Sequence, residues 1–177
     1  EALGFERTPP RLSLTDGEVS FWRSGAEGWA PGQVNTPLAA GDELYAGAKS
    51  NLEIQIGPRA YARAGEETQL GLTSLEPDYL QLRVTRGTAS LDVRSLPAGH
   101  TLEVGTPNAA FTIEHSGYYR VEVGEDATRF SSRRGGRASV TTANGQSAAI
   151  APSEQVVIHG VEQPALETYA APDLDRW

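Results

Sequence analysis

The sequence predicts an all-β protein made of short stacked strands, and three observations support this fold class. Apolar and polar residues alternate along most of the chain, which places one set of side chains in a core and the other in water. Glycine and proline, 19 and 11 of the 177 residues, fall between the alternating runs, where tight turns need them. The central stretch, residues 79–123, contains no helix between its runs.

The central stretch contains five alternating runs that are separated by turn residues. Turns are expected at Arg86-Gly87, at residues 97–99, at residues 105–108 and at Ser116-Gly117. The apolar residues of the five runs are Leu80, Leu82, Val84, Ala89, Leu91, Val93, Leu102, Val104, Phe111, Ile113, Tyr119, Val121 and Val123. We therefore expect a series of short strands, each ending at a turn.

The segment before the central stretch follows the same pattern after an irregular start. Residues 1–11 contain Pro9-Pro10, which blocks ladder hydrogen bonding, and we interpret them as an extended lead-in. Asp16-Gly17 is a strong turn signal between two apolar runs. The expected strands of this segment contain Leu12, Leu14, Val19, Phe21, Leu44, Leu52, Ile54, Ile56, Ala60, Ala62, Ala64, Leu70 and Leu72.

The segment after the central stretch completes one domain and then changes character. Asn144-Gly145 predicts a further turn, and residues 156–158 form the last apolar run. Residues 12–160 are therefore interpreted as a single all-β domain, a size that buries most of its unfolded surface. We interpret residues 161–177 as a C-terminal tail or linker, helical or extended, in which residues 165–171 could form a turn or two of helix.

An internal repeat bears on how the strands are arranged. Residues 17–21, 87–91 and 136–140 share one pattern: glycine, any residue, a small apolar residue, serine and a large apolar residue. A unit that cannot bury its apolar face alone is covered by stacking on the next unit, which favours a β-helix or solenoid-like body. The Asp-Gly and Asn-Gly turns favour hairpins, so an antiparallel β-sandwich or barrel is the alternative.

Charge and composition exclude several classes of function. The 15 basic and 23 acidic residues give a net charge of −8, which does not suit binding to nucleic acid or to an anionic membrane surface. The chain has no cysteine, so disulfides, thiolate metal sites and cysteine nucleophiles are excluded. No apolar run approaches the roughly 20 residues that span a bilayer. Because the chain begins at Glu1 rather than Met, we expect a trimmed product whose signal segment was removed.

Several segments of the chain resemble the FecR domain family, and the resemblance covers about residues 10–160. The segments are G-E-V-S-F at residues 17–21, L-E-I-Q-I-G at residues 52–57, R-G-T-A-S-L at residues 86–91, L-E-V at residues 102–104, T-P-N-A-A-F-T-I at residues 106–113 and G-Y-Y-R-V at residues 117–121. The chain is most similar to the secreted FecR-like envelope proteins of uncharacterised function in Gram-negative bacteria.

The resemblance implies a periplasmic or secreted, β-helix-like module that binds an envelope protein or relays a signal. The best-known members of the family are membrane regulators that couple an outer-membrane transporter to a sigma factor. The sequence shows no transmembrane run and no alternating βαβ pattern near its end. The resemblance therefore implies the fold rather than sigma-factor regulation.

Four aromatic residues fall where the alternation points outward or into loops: Trp22, Trp29, Tyr61 and Tyr118. Aromatic side chains at a rim stack on sugars or anchor a protein partner. They are therefore candidate contacts for a partner protein or a glycan, and capping the open end of a solenoid is the alternative use.

Arginines cluster around Gly135-Gly136. Arg133, Arg134 and Arg137 are candidate contacts for a phosphate or an acidic partner, because guanidinium groups and glycine amides both suit anions. A charged turn that keeps a strand edge from pairing with neighbours is the favoured alternative.

The chemistry-bearing residues do not converge in the sequence. His100, His115 and His159 fall on different strands or turns without the spacing of metal ligands. Ser116 lacks the G-x-S-x-G elbow of a nucleophile. Carboxylates lie in polar breaks, at Glu66, Glu67, Glu76, Asp78, Glu125 and Asp126. We expect no catalytic residue, no metal and no cofactor.

The favoured function is thus a non-enzymatic, periplasmic or secreted module for protein–protein interaction, signalling or envelope scaffolding. A carbohydrate-binding β module of the cell envelope is the alternative, and a hydrolase using carboxylates is a third hypothesis that lacks a paired motif.

Overall fold

The structure, a computed structural model, describes residues 9–170, and all regular secondary structure in this range is β-strand. This confirms the all-β class. The strands are β1 (Arg11–Asp16), β2 (Val19–Trp22), β3 (Ala30–Pro31), β4 (Glu43–Ala46), β5 (Asn51–Gly57), β6 (Ala60–Ala64), β7 (Thr68–Glu76), β8 (Tyr79–Val93), β9 (Thr101–Gly105), β10 (Ala109–Ile113), β11 (Gly117–Val123), β12 (Ala127–Arg133), β13 (Ala138–Thr142), β14 (Ser147–Ile150), β15 (Glu154–His159) and β16 (Ala165–Ala170). Across these residues no helix has the length and apolarity to cross a membrane.

The strands form two sheets that share the long strand β8. Sheet A has the order β1-β5-β6-β8-β11-β12-β15-β16. Sheet B has the order β3-β2-β4-β7-β8-β9-β10-β13-β14. Among the described strands, β8 and β9 form the only parallel pair. The pairing supports the all-β class without specifically supporting a β-helix or solenoid.

β8 passes from sheet B to sheet A between Arg86 and Gly87. Its first part pairs with β7 and β9, and its second part pairs with β6 and β11. Gly87 has a φ of 96°, and a Cβ there would lie 2.6 Å from the Cα of Thr68. Only glycine fits this position. The turn expected at Arg86-Gly87 is therefore a bend inside a continuous strand, because neighbouring strands pair with both halves.

The two sheets face each other across one hydrophobic core. Phe111 of sheet B stacks on Phe130 of sheet A, with ring centroids 4.3 Å apart and planes 5° apart. The sequence pattern does not predict β12, the strand of Phe130, because the buried hydroxyl residues Thr128, Ser131 and Ser132 interrupt its alternation. On β8 the predicted core residues are buried on both sides of the bend: Leu80, Leu82, Val84, Ala89, Leu91 and Val93.

The three glycine repeats fold into one local arrangement. In each repeat the residue after the glycine donates its backbone N–H to a side-chain hydroxyl from another strand or turn. The pairs are Glu18 to Ser50 Oγ at 2.8 Å, Thr88 to Thr68 Oγ1 at 2.9 Å and Arg137 to Tyr119 Oη at 2.9 Å. A Cβ on the glycine would lie 2.4 Å from Ser50, 2.3 Å from Thr68 and 2.8 Å from Tyr119 respectively. The repeated glycine thus makes room for the hydroxyl that satisfies the next amide.

Two local predictions in the N-terminal half are wrong. Asp16-Gly17 does not close a hairpin, because β1 pairs with β5 in sheet A whereas β2 pairs with β3 and β4 in sheet B. Leu14 is 41% exposed, although Leu12 is buried, because the ladder shifts its register between the two residues. Such a bulge reverses the direction of the side chains that follow it. Asn144-Gly145 does connect a hairpin, β13 with β14.

The C-terminal segment forms a β-strand and not the short helix that was one of the two expected conformations. Residues 165–170 form β16 and pair with β15 from His159↔Ala165 to Glu154↔Ala170. The backbone N–H and C=O groups of this segment form ladder hydrogen bonds with β15. The turn or two of helix considered for residues 165–171 therefore does not form over residues 165–170. Of the expected lead-in, residues 1–8 lie outside the described residues, and Arg11 begins β1.

Candidate functional site

The outer face of sheet A contains a trough that runs along the second half of β8. Its floor consists of the short side chains of Thr88, Ser90 and Asp92, which alternate with buried residues and so point outward. Its walls are longer side chains on β6 and β11, the two neighbours of β8 in this sheet. The trough exists because short residues on the middle strand lie between long residues on both flanking strands.

Two rows of side chains cross the trough. The rows are Arg63–Ser90–Arg120 and Tyr61–Asp92–Tyr118. Side chains that face each other on adjacent antiparallel strands lie about 4.5–5.5 Å apart at Cβ. Each floor residue therefore lies next to one wall residue on either side, with two arginines facing each other in one row and two tyrosines in the next.

Each tyrosine ring of the trough has a guanidinium group near its face. The Cζ atom of Arg94 lies 5.4 Å from the centroid of the Tyr61 ring, and that of Arg134 lies 5.2 Å from the centroid of the Tyr118 ring. Contacts of this type contribute about 0.5–1 kcal/mol at exposed sites. Arg94 follows β8, whereas Arg134 belongs to the turn after β12, so two separate segments bring cations to this end of the trough.

Ion pairs neutralise only part of the positive charge. A guanidinium nitrogen of Arg63 lies 3.0 Å from Glu53 Oε2, and Arg94 Nε lies 3.3 Å from Asp92 Oδ2. A third pair is longer, with Arg120 Nε 3.9 Å from Glu122 Oε2. Arg134 forms no ion pair with a carboxylate within residues 9–170. The depression that these residues bound has a volume of about 270 Å³.

Two further depressions extend the trough. One, of about 370 Å³, shares Arg63, Ser90 and Tyr118 with the first and reaches Arg120. The other, of about 450 Å³, shares Asp92, Arg94 and Arg134 and extends to the turn before β11. In total the lining contains four arginines and two carboxylates: Arg63, Arg94, Arg120, Arg134, Glu53 and Asp92.

The structure brings three of the predicted contact residues together: Tyr61, Tyr118 and Arg134 line the same depression. Arg133 is half-buried at the end of β12, where it pairs in register with Tyr118. Arg137 is exposed and lies just before β13 of sheet B. The arginine-containing turn does not protect a sheet edge, because β12 lies between β11 and β15.

The two predicted tryptophans lie elsewhere, beside strands of sheet B. Trp22 is half-buried at the end of β2, and its Nε1–H donates to the carbonyl oxygen of Ala26 at 3.0 Å. Trp29, just before β3, is 49% exposed and lines a separate shallow depression of about 440 Å³. The predicted residues therefore form two groups rather than one surface.

Sequence reasoning missed most of the polar lining, namely Glu53, Arg63, Ser90, Asp92, Arg94 and Arg120. A signal for two of them was present, because Arg63 and Arg120 each lie two positions after a predicted tyrosine and so share its face. The pattern does not show that β6 and β11 are both neighbours of β8, because the residues paired across the trough are 26 to 31 positions apart in the sequence.

The buried hydroxyl of Tyr119 has a structural role. It donates to the carbonyl oxygen of His115 at 2.6 Å and accepts the backbone N–H of Arg137 at 2.9 Å. Burial raises the pKa of Tyr119 to about 12, with a smaller contribution from the charge of Glu114. Among residues 9–170, no three histidine or acidic side chains lie close enough together to hold a metal ion.

Comparison with known proteins identifies a shared fold. No family model and no curated protein matches the sequence. Two crystal structures of candidate anti-sigma factors from Parabacteroides distasonis are similar to this chain, each with a TM-score of 0.61 over 73% of it, at 15% and 14% sequence identity. The similar region is 59% of each of those chains, so this chain corresponds to part of their length. At this identity, the likeness shows the fold alone.

Proposed function

We propose that this chain is a non-enzymatic envelope module, periplasmic or secreted, that recognises a partner protein in signalling or scaffolding. The observation that carries the proposal is the fold likeness to candidate anti-sigma factors, with a TM-score of 0.61 over 73% of the chain. The sequence resemblance to the FecR domain family supports the same class of function. The trough on sheet A offers a partner a surface with aromatic and cationic groups.

The finer architecture belongs to this proposal as well. We infer a FecR-like β-helix-type body, built from related strand–turn–strand units that stack on one another. The recurrence of the glycine–hydroxyl arrangement at residues 17–21, 87–91 and 136–140 supports related units. If the units are related, the residues that flank the three repeats should superpose as well as the repeats themselves in a crystal structure. Superposition of the five-residue segments alone would mean that the units are not related.

The composition of the trough supports a binding role rather than catalysis. The residues that line its central depression are arginine, tyrosine, serine and two carboxylates, and both carboxylates are held by arginines. Ser90, the hydroxyl on the floor, lies between Arg63 and Arg120 in the ladder rather than beside a base.

Affinity purification from the envelope tests the proposal. The full-length protein with a C-terminal tag is expressed in its native host, cross-linked, and purified from the periplasmic, membrane and secreted fractions. We expect recovery outside the cytoplasm together with a specific partner protein, relative to an unrelated acidic β-protein as bait. Recovery only in the cytoplasm, or no enrichment over that control bait, contradicts the proposal.

A carbohydrate-binding role is the second candidate, and the exposure of Trp29 beside a shallow depression favours it. A flat exposed indole stacks on the apolar face of a sugar ring. A glycan array should then give a hit that Trp29→Ala abolishes and that Tyr61→Ala leaves intact. The absence of any hit removes this candidate.

A further inference from the structure

We propose that the trough on sheet A binds an extended acidic segment of the partner protein, lying along β8 with its carboxylates against the arginines. This inference rests on the proposed function and names the chemistry of the partner. Three properties of the trough carry it: its shape, its charge and the placement of its tyrosines.

The shape fits one extended chain. The walls are two strand spacings apart, which is about 9.6 Å between the backbones of β6 and β11. The stretch from Thr88 to Arg94 covers seven residues, or six spacings of extended chain, which is about 20 Å. A peptide of about six residues in an extended conformation has this length, and the walls leave room for a single such chain.

The charge of the trough is opposite to that of the chain as a whole. The net charge of the protein is −8, yet the trough contains four arginines against three carboxylates, Glu53, Asp92 and Glu122, the last of which lies opposite Thr88. The arginines lie toward both ends, with Arg63 and Arg120 in one row and Arg94 and Arg134 beyond the tyrosines. Guanidinium groups bind carboxylates through two parallel hydrogen bonds. A ligand with carboxylates at more than one position along its length matches this distribution.

The tyrosines supply a central aromatic contact, and each ring has a guanidinium group packed near its face. Tyr61 and Tyr118 face each other across Asp92. Tyrosine presents a large contact area with few rotatable bonds, so little conformational entropy is lost when a ligand binds. Asp92 between them repels a carboxylate at the centre. The expected segment therefore carries acidic residues toward its ends and a neutral or aromatic residue in its middle.

Fluorescence anisotropy with labelled peptides tests the inference on the full-length protein. The probe is a peptide of about nine residues with two acidic residues on each side of a central Gly-Tyr-Gly. We expect it to bind with an affinity that falls by about tenfold or more as the salt concentration rises from about 0.05 to 0.5 M, because the Debye length shortens several-fold. A peptide with Asn and Gln in place of the acids should not bind measurably.

Charge-matched variants separate the trough from the general surface. Arg94→Gln with Arg134→Gln removes two trough cations, and we expect at least about tenfold weaker binding of the acidic peptide. The control is Arg83→Gln with Arg86→Gln, which removes two exposed cations from sheet B, one of them also stacked on a tyrosine, Tyr45. The control should bind as the wild type does. Equal loss in both double variants overturns the inference, since binding then depends only on net charge.

The inference can be tested even if a variant does not fold, and its failure can be distinguished from failure of the proposed function. If the trough variant loses its circular-dichroism spectrum, the wild-type comparison of acidic and neutral peptides still decides the inference. Binding of an acidic oligosaccharide such as a polyuronate, without binding of the acidic peptide, overturns it. A partner retained equally by wild type and trough variant also overturns it, yet leaves the proposed function intact. Failure to retain any partner contradicts the proposed function.

Discussion

The hydroxyl of Thr68 accepts the backbone N–H of Thr88 at 2.9 Å, at the point where β8 leaves one sheet and enters the other. Thr68 Oγ1 also lies 3.1 Å from the carbonyl oxygen of Thr88, so this one side chain contacts both polar groups of the residue after the bend. Thr68 is fully buried, so its hydroxyl is not in contact with bulk solvent. A side chain on β7 thereby stabilises the bend that joins the two sheets.

Replacing this hydroxyl tests its contribution. Thr68→Val keeps the shape of the side chain but leaves the amide of Thr88 without its acceptor, so we expect the free energy of unfolding to fall by about 1–3 kcal/mol. Thr68→Ser keeps the hydroxyl and loses one buried methyl group, which costs about 1 kcal/mol. Urea unfolding followed by tryptophan fluorescence measures both. A valine variant as stable as wild type would contradict the role of the hydroxyl.

The bend itself requires glycine, which a matched pair of alanine variants can demonstrate. Gly87 and Gly99 have similar φ values, 96° and 81°, but a Cβ at Gly87 would meet Thr68 whereas one at Gly99 would meet nothing within 4 Å. Gly99→Ala should cost about 1–2 kcal/mol from backbone strain alone. Gly87→Ala should cost about 3 kcal/mol or more, because Thr68 must move as well. Equal unfolding midpoints for the two variants would show that the contact between the new Cβ and Thr68 adds nothing to the cost of backbone strain.

The stacked rings that connect the sheets should be energetically coupled. In a double-mutant cycle with Phe111→Leu and Phe130→Leu, we expect a coupling free energy of about 0.5–1.5 kcal/mol beyond the loss from each single variant. Each leucine keeps most of the buried apolar area, so the cycle isolates the ring–ring contact. Chemical denaturation of the four proteins gives the value. If the effects of the two single variants are additive within experimental error, the stacking contributes no stability beyond that of the buried apolar area.

The raised pKa of Tyr119 predicts a loss of stability in alkaline solution. The pKa is about 12 in the folded chain and about 10 when the side chain is solvated, so the unfolded chain releases this proton first. The contribution of the neutral hydroxyl is complete below pH of about 10. It declines as the pH rises through about 12, by on the order of 3 kcal/mol in all.

Tyr119→Phe provides the comparison for this pH dependence. The variant should be less stable than wild type at pH 7 because the amide of Arg137 loses its acceptor. Between pH 10 and 12 the two stability curves should converge, since phenylalanine has no proton to release. Parallel curves across this range would mean that Tyr119 does not titrate in it.

Much of the core could be predicted from the sequence, because alternation is a local property. Each predicted inward residue of the central stretch is buried, from Leu80 to Val123. The strand of Phe130 is not predicted, because its other buried residues are polar. Thr128, Ser131 and Ser132 form hydrogen bonds inside the protein, which a search for alternating apolar residues does not detect. Polar side chains can be buried in a core when their donors and acceptors form hydrogen bonds there.

The candidate site could be predicted only in part. The arginine cluster predicts Arg134 as a contact, the alternation predicts that Tyr61 and Tyr118 face outward, and the structure brings all three to one trough. Trp22 and Trp29 were identified by the same criterion, yet they lie beside sheet B. The alternation within a strand determines the direction in which a side chain points. The residues that lie next to it in space are determined by pairing between segments that are distant in the sequence.

The sequence by itself determined that this protein is all-β, which faces of its strands are buried, and where glycine must stand. These follow from interactions between residues that are close along the chain, namely the two-residue period of a strand and the allowed φ of each residue. Tertiary structure alone decided that Arg86-Gly87 is a bend and not a turn, that the chain changes sheets at Asp16-Gly17, and that arginines from two strands and two connecting segments share one trough. Those outcomes depend on which distant strands hydrogen-bond to β8, because a strand's own residues leave its two edges equally open to many partners.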